Sequence, residues 1–497
     1  MEYRVLKYFL IVAREENITR AAEILNVSQP ALSRQLMQLE EELNTKLFIR
    51  GKRHLTLTDA GLLLRRRAQE IIDLTLKTEQ EIQKENDNLE ETISIGSGEA
   101  QSMKMMAQWI QQFHELYPNV KFEGIAFRYN AKTGKVVLSA HYEDQSGYVA
   151  AKIYLAQITP KGELEVGTME RPLGHESRDQ SLFIDDDGTA YLLSATNMNR
   201  DINIYKLDTS WTKPVLLVNT ICKGLHRETP AIIKKDGEYY FFSSKASGWY
   251  PSQTMYTSAT DLGGEWTPMR EIGNNSTFDA QFNRISTVGK TCGVWSYHWG
   301  AQRKYKTPEG NFPRISIAAF NKGYASMDYY RYLEFSDKYG IIPVQNGKNL
   351  TLNVPVTAAV PGARGIKADC ITDGACTESS AYFQKSSNAA TGSPYMFTID
   401  MQKEAVISEI NLSTRLVNGS EAAYKYTIEG SRDGKSYKML VDGKLNWQVG
   451  FLILNIEDPS LYRYLRLRVY GVVNVHKNNS AMWADGIYEF AAYGKPQ

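Results

Sequence analysis

The sequence predicts a multidomain chain: a small α-helical module with a long helix behind it, then an all-β propeller, then an all-β sandwich. Three observations predict this order. Residues 1–95 hold four of the 55 aromatic residues and two of the 36 glycines, whereas the remainder holds 51 and 34. A strand, turn, strand unit recurs four times between residues 127 and 297. From residue 347 onwards the chain is a series of strand-like stretches, the first of them Asn349-Leu350-Thr351-Leu352-Asn353. Few breakers among Leu, Ile, Ala, Glu and Arg favour helices, while Tyr, Trp, Val and Ile punctuated by Gly and Asn favour short strands. At 497 residues the chain has room for several domains of ~150 residues.

Composition removes several classes of function. With 57 Lys+Arg against 56 Asp+Glu the net charge is +1, so the overall field does not drive the chain onto nucleic acid or membrane and any such binding is local. No apolar run reaches the ~18 residues that span a bilayer. Cys222, Cys292, Cys370 and Cys376 fit neither a disulfide framework nor a zinc spacing and read as free thiols, and no metal or cofactor is expected. The opening Met1-Glu2-Tyr3-Arg4 lacks the apolar core of a signal peptide, so a cytoplasmic product is expected.

In the helical part, apolar positions recur at three- and four-residue spacing through Val5, Phe9, Val12 and Ala13, then Ala21, Ala22 and Leu25, then Leu32, Leu36 and Leu39. These predict three short helices. Ser28 reads as the N-cap of the third, with Pro30 in its first turn, which makes a helix-turn-helix. A helix entering the major groove offers its first residues to base edges, here Ser28, Gln29, Pro30, Ala31, Ser33 and Arg34. Residues 50–67 carry six basic residues and one acid, and Arg50, Lys52 and Arg53 on a following hairpin would neutralise phosphates. From residue 58 to 89 a long helical stretch has Leu62, Ile71, Ile72, Leu74 and Leu76 on one side, which a partner helix would bury.

Asn17-Ile18-Thr19-Arg20-Ala21-Ala22, Val27-Ser28-Gln29-Pro30-Ala31-Leu32-Ser33, Lys46-Leu47-Phe48-Ile49-Arg50 and Leu57-Thr58-Asp59-Ala60-Gly61 resemble, in order and spacing, the DNA-binding domain of LysR-type transcriptional regulators. The resemblance implies a winged helix-turn-helix over residues 1–60, a linker helix over 61–90 that forms a homodimer, and double-stranded DNA as partner. It continues over 91–124 as a fragment of an effector-binding domain and then stops, so the inducer site is absent.

In the β part, Asn130-Ala131-Lys132-Thr133-Gly134, Asp185-Asp186-Asp187-Gly188 and Lys234-Lys235-Asp236-Gly237 each separate two apolar-aromatic runs, and residues 284–297 give a fourth, less regular copy. Repeats of this length built from short strands predict propeller blades. Most acids here are turn residues with a solvated role, Asp185, Asp186, Asp187, Asp236 and Glu238 among them. Asp179 and Glu228 differ, because each immediately precedes a repeat strand at equivalent positions of successive units. A salt bridge with the adjacent Arg178 or Arg227 competes with a catalytic role.

His141-Tyr142-Glu143, Arg171-Pro172-Leu173-Gly174, Ser177-Arg178-Asp179, Phe183-Ile184-Asp185-Asp186-Asp187-Gly188, Glu228-Thr229-Pro230-Ala231 and Ser247-Gly248-Trp249 resemble glycoside hydrolase family 43, above all its galactanase-like branches. The resemblance implies a propeller over residues 125–336 with four of the family's five blades. It implies that Glu228 protonates the leaving oxygen of a galactan-, arabinan- or xylan-type substrate with inversion, and that Asp179 orients and tunes it. The family's usual base belongs to the missing first blade; Gln281, in Thr277-Phe278-Asp279-Ala280-Gln281, is the substitute that galactanase-like members suggest. Trp249, Tyr250 and Trp299 could stack on a sugar face or sit in the core. The lost blade predicts a weakened or absent activity and two open strand edges, unless a helix at 100–116 covers one.

After a linker of extended residues at 337–345, Phe397-Thr398-Ile399-Asp400, Gly430-Ser431-Arg432-Asp433-Gly434, Arg463-Tyr464-Leu465-Arg466-Leu467 and Gly486-Ile487-Tyr488-Glu489-Phe490 resemble a discoidin (coagulation factor 5/8 type C) domain. The resemblance implies a jelly-roll sandwich over 347–497 that either binds galactose-type sugars, with Trp447 and Tyr382 as contact candidates, or is a spacer with no ligand, and it puts Trp483 in the core. The regulator module belongs with cytoplasmic DNA, whereas the hydrolase part resembles exported proteins, and the two join inside domains at residue 124. The chain therefore reads as a chimera of both functions, or alternatively as a recombination or assembly artefact that retains DNA binding alone.

Overall fold

The three- and four-residue apolar spacing winds the start of the chain, in a computed structural model, into α1 (Tyr3–Glu15), α2 (Ile18–Leu25) and α3 (Gln29–Glu42). The structure describes residues 3–15, 18–25, 27–50, 55–58, 60, 61, 64 and 68, and residues 121–496 except 145, 146, 160, 162, 248, 249, 300–310, 337, 338, 345, 346, 387–393, 417–421, 476 and 477. Lys52, Arg53, Trp249, the proposed cover at 100–116 and nearly all of the long helix read over 61–90 lie outside the described residues. The chain divides into two compact units, Met1–Glu99 and Ala100–Gln497.

In the first unit Ser28 caps α3, its hydroxyl accepting from the Ala31 N–H at 3.4 Å. Phe9, Val12, Ala21, Leu32, Leu36 and Leu39 close a common core, joined by Leu64 and Ala68. A two-stranded hairpin, β1 (Phe48–Arg50) and β2 (Leu55–Leu57), follows as a wing, and the Phe48 ring packs 5.2 Å from Phe9.

Glu40 ties the helix to this wing. Its buried carboxylate accepts from the Leu47 and Phe48 N–H groups at 2.9 and 3.2 Å and from Lys46 Nζ at 2.9 Å. Burial works against its ionisation, but the Lys46 ammonium and the two N–H donors outweigh it and hold the carboxyl below its usual range. A depressed folded value means that this contribution is full above the ordinary carboxyl range and is lost as pH falls through the folded value. Glu40→Ala leaves two buried N–H groups without an acceptor, and denaturant unfolding followed by helical circular dichroism is expected to show a loss of about 2–4 kcal/mol.

The second unit opens with four antiparallel four-stranded sheets. These are β3–β6 (Lys121–Asn130, Lys135–Asp144, Gly147–Ile158, Leu164–Glu170) and β7–β10 (Gln180–Ile184, Ala190–Thr196, Asp201–Leu207, Pro214–Ile221). Then come β11–β14 (Arg227–Lys235, Glu238–Lys245, Met255–Ala259, Arg270–Glu271) and β15–β18 (Gln281–Val288, Thr291–Trp299, Asn311–Asn321, Tyr324–Tyr329). Each predicted repeat supplies the first two strands of a sheet, and the first strands lie side by side, β3 by β7, β7 by β11 and β11 by β15. This is a four-bladed propeller. Apolar rows such as Val137, Leu155, Leu192 and Tyr205, then Phe183, Leu193, Ile232 and Phe241, then Tyr240, Phe242, Phe282 and Val294 fill the spaces between blades.

Turn acids do more than solvate. Asp185 accepts from Lys234 Nζ at 2.7 Å and the Tyr239 hydroxyl at 2.6 Å, which pins the second blade's turn to the third blade.

The segment read as a linker is the second strand of a hairpin, β19 (Tyr332–Ser336) with β20 (Gly340–Val344). A largely β C-terminal region follows: a nine-stranded sheet, β21–β29, whose long strands are β23 (Tyr395–Thr414), β24 (Ala422–Ser431), β27 (Leu461–Asn474) and β29 (Ile487–Pro496). Within 349–353, read as a strand, only Asn349 is in one, as the end of β21 (Lys348–Asn349). Ile399, Leu412, Ile428, Leu467 and Phe490 form the core of this region, and Trp483 packs against it.

Candidate functional site

Asp179 stands just before β7 and Glu228 is the second residue of β11. Asp179 lies opposite Ala195 and Glu228 opposite Ser244, each partner seven residues past its blade's turn glycine, Gly188 or Gly237, so the two acids occupy equivalent points of adjacent blades. The backbone joins them: the N–H of Thr229 donates to Asp179 Oδ2 at 3.0 Å. Thr229 has φ +52°, a left-handed conformation costly for a β-branched residue, and the β11–β12 register slips between Glu228 and Ala231. The bulge re-aims the Glu228 side chain.

Two side-chain amides hold the Glu228 carboxylate. Asn199 Nδ2 donates to Oε1 at 2.7 Å, and Gln281 Nε2 donates to Oε2 at 3.1 Å while also reaching Ser244 Oγ at 3.1 Å. Both amides follow from unusual backbone. Asn197, Met198 and Asn199 have φ of +51°, +57° and +61°, and Thr277, Phe278 and Asp279, just before Gln281, have +48°, +57° and +61°. Left-handed residues cost roughly 1–2 kcal/mol each outside glycine, so two such triplets around one carboxylate mark a site where geometry overrides propensity. The first triplet is anchored by the Met198 N–H on Glu176 Oε2 at 2.9 Å, and the second by the Ser276 N–H on Asn274 Oδ1 at 3.2 Å.

Glu228 is half-buried, and burial pushes its carboxyl upward; the Asp179 charge pushes the same way, while the amides and Arg227 oppose them less strongly. Its proton is thus retained into the neutral range. The competing salt-bridge reading does not describe Arg227, whose buried guanidinium donates to Ser243 Oγ at 3.0 Å and to the Gln253 carbonyl at 3.2 Å. Arg178 lies 3.9 Å from Glu176 Oε2.

The structure therefore brings together Glu228, Asp179 and Gln281. Asn199 was not anticipated; its only sequence signal is the Asn-Met-Asn run of a turn. Tyr250 is half-buried, its backbone carbonyl accepting from Ser247 Oγ at 3.0 Å, and Trp299 ends β16 with its side chain outside the described residues. In the C-terminal region, Lys425 Nζ lies 3.4 Å from the Trp447 ring centre, and Tyr382 sits between Arg415 and the Tyr488 ring, 4.9 and 5.2 Å away. Among the described residues no cluster of His, Cys, Asp and Glu could hold a metal ion, and no helix is long and apolar enough to cross a membrane.

On α3, Leu32, Leu36 and Leu39 face the core, and Ser28, Gln29, Pro30 and Arg34 are exposed, with Ser33 half-exposed. The Arg34 side chain lies back along the helix, Nε on the Pro30 carbonyl at 3.4 Å. Arg50 closes β1; its side chain lies outside the described residues.

Residues 3–62 match the family model of bacterial regulatory helix-turn-helix proteins, lysR family, and residues 141–297 match that of glycosyl hydrolases family 43. The HTH-type transcriptional regulator BsdA of Bacillus subtilis (strain 168) is 38% identical over 123 residues, 24% of this chain and 42% of that protein. The regulator GltR of the same organism is 31% identical over 157 residues, 31% of this chain and 50% of that protein. The chain spans half or less of the length of these curated relatives. Among solved structures, an exo-beta-1,3-galactanase from Phanerochaete chrysosporium with beta-1,3-galactotriose aligns with TM-score 0.49 at 19% identity, over 76% of this chain and 82% of that one. An exo-beta-1,3-galactanase from Clostridium thermocellum aligns with TM-score 0.45 at 20% identity, over 71% and 84%. Residues 3–62 thus form a lysR-type helix-turn-helix domain, and residues 141–297 belong to a glycosyl hydrolase family 43 domain within the four-bladed propeller.

Proposed function

We propose that the propeller hydrolyses a glycosidic bond of a neutral, galactan-type polysaccharide with inversion, and that the N-terminal domain binds operator DNA as a homodimer. The observation that carries the hydrolase reading is the carboxyl of Glu228, half-buried and beside the negative Asp179, held by Asn199 and Gln281. Glu228 is the general acid that protonates the leaving oxygen. Asp179 keeps that proton in place through its charge and fixes the bulge through the Thr229 N–H. Gln281 is a neutral amide too weak to remove a proton, and in direct contact with Glu228 Oε2 its part is to orient the acid. Release of sugar from β-1,3-galactan by the full chain, with arabinan and xylan as comparisons, is the test; no release from any of them would leave a DNA-binding chain with an inert propeller.

DNA binding rests on the exposed Gln29 and Arg34 at the start of α3, with Ser33 beside them and the wing's Arg50, Lys52 and Arg53 on phosphates. It places the chain in the cytoplasm, with the DNA. Arg34→Ala in the full chain is expected to weaken binding to an inverted-repeat operator by about ten- to a hundredfold while leaving binding to random DNA nearly unchanged. Gel retardation at fixed salt reads this, and an equal loss on both DNAs would reassign Arg34 to the backbone. The C-terminal region, in this reading, is a sugar-binding module of discoidin type with Trp447 and Tyr382 at the ligand.

A further inference from the structure

Gln281 reaches Glu228 from the left-handed turn at 277–279, which is held partly by the propeller, where Thr277 Oγ1 donates to the Ser252 carbonyl at 2.5 Å and accepts from the Thr254 N–H at 3.0 Å, and partly from outside it. Within the turn, Asn274 Oδ1 caps the Ser276 and Phe278 N–H groups, and the Asp279 carbonyl meets His298 Nδ1 at 2.9 Å. The other side of the turn is gripped by the C-terminal region. The buried Asn275 donates its N–H to the Cys376 carbonyl at 2.7 Å and its Nδ2 to the Thr414 carbonyl at 3.0 Å, groups more than a hundred residues away in sequence. The Phe278 ring is stacked on Tyr329 at 5.4 Å and meets the edge of Phe451, in β26 (Phe451–Asn455), at 5.4 Å. Gly450, with φ +76°, brings that strand so close that a Cβ would lie 3.3 Å from Ser276 Cβ.

Three left-handed residues, two of them β-branched or aromatic, are not stable by local preference. Here two buried hydrogen bonds and an aromatic cluster from a different part of the chain bear on them. We propose that the C-terminal β region is a structural part of the propeller's site: by gripping Asn275 and Phe278 it holds the 277–279 turn in the form that aims Gln281 at Glu228. Asn275, Phe278 and Phe451 are positioning residues that act through Gln281. The inference rests on the reading of Glu228 and Gln281 as a working pair, and it gives the C-terminal region a duty that requires no sugar ligand.

The test reads Glu228 itself, in the full chain, by titrating 13C-carboxyl-labelled glutamate in NMR, with Glu228 identified by its loss in Glu228→Gln. Gln281→Ala takes an N–H donor from the carboxylate and is expected to raise its midpoint by about one pH unit. Asn275→Ala and Phe451→Ala are expected to raise it in the same direction, and to add nothing in the Gln281→Ala background, because all three act on one contact. Midpoints that stay put in folded Asn275→Ala and Phe451→Ala, while Gln281→Ala shifts, overturn the proposal. Phe451→Leu, which keeps most of the apolar volume, is read in the same way if Phe451→Ala fails to fold. The measurement requires no turnover. A chain that shows the shifts and releases no sugar upholds the grip and rejects the hydrolase reading; sugar release without the shifts does the reverse.

Discussion

Glu228→Gln is expected to cut the release of sugar from β-1,3-galactan by about 10²–10⁴-fold, the range that a positioned general acid supplies. The amide keeps the size of the side chain and its place between Asn199 and Gln281, but it has no proton to give. The loss should fall on kcat more than on KM, because the proton moves only in the transition state. Leaving-group chemistry separates this role from a structural one. A substrate with a nitrophenolate leaving group departs without protonation, so the same variant should lose far less on it. An equal loss on both substrates, or an unchanged rate on galactan, removes Glu228 from the role of acid.

Asp179→Asn carries the second large effect, and its sign follows from the charges around Glu228. The acid works while protonated. Burial first, and the Asp179 charge second, lift Glu228 to about 8, so the proposed activity is expected to persist through neutral pH and to fall as pH rises through that value. The asparagine Oδ1 can still accept the Thr229 N–H, which preserves the bulge, but the negative charge is gone. The alkaline limb of kcat/KM is then expected to move down by about one to three pH units. At pH 8 the rate falls by about fivefold or more, while near pH 5 the loss is small. A pH profile that keeps its alkaline limb in Asp179→Asn would assign the elevation to burial alone.

The parts of this molecule that were legible in its sequence are those coded by neighbours. Ser28 and Pro30 stand where a helix start requires them, and the apolar spacing of Phe9, Leu32 and Leu36 states which face is buried. Asp-Asp-Asp-Gly and Lys-Asp-Gly turns mark the blades, and the equivalence of two repeats singles out Asp179 and Glu228 from the sequence alone. What stayed hidden has a common cause. Asn199 and Gln281 depend on left-handed triplets made of Asn, Met, Thr, Phe and Asp, without the glycine that usually announces such backbone. Their shape is held in part from a distance, by Glu176 in one case and by Cys376, Thr414 and Phe451 in the other, and no local pattern records that. Residues 337–345 read as a linker, yet 340–344 are the second strand of a hairpin, whose burial shows no clean alternation of buried and exposed residues. Asn349-Leu350-Thr351-Leu352-Asn353 erred the other way: its alternation is strand-like, but the Asn349 and Thr351 side chains fold it into a turn.

Glu40 has a consequence for how the N-terminal domain meets any surface. One carboxylate fastens the last turn of α3 to the first residues of the wing, at Leu47 and Phe48. Helix and hairpin are thereby a single lever with two contact points rather than two elements joined by a loop. When the helix docks, the hairpin arrives already oriented, and its ordering entropy has been spent in folding instead of in binding. The second contact then forms at high effective concentration, with no search. A domain whose lever is loosened would still recognise with its helix, but it would lose the additive grip of the hairpin.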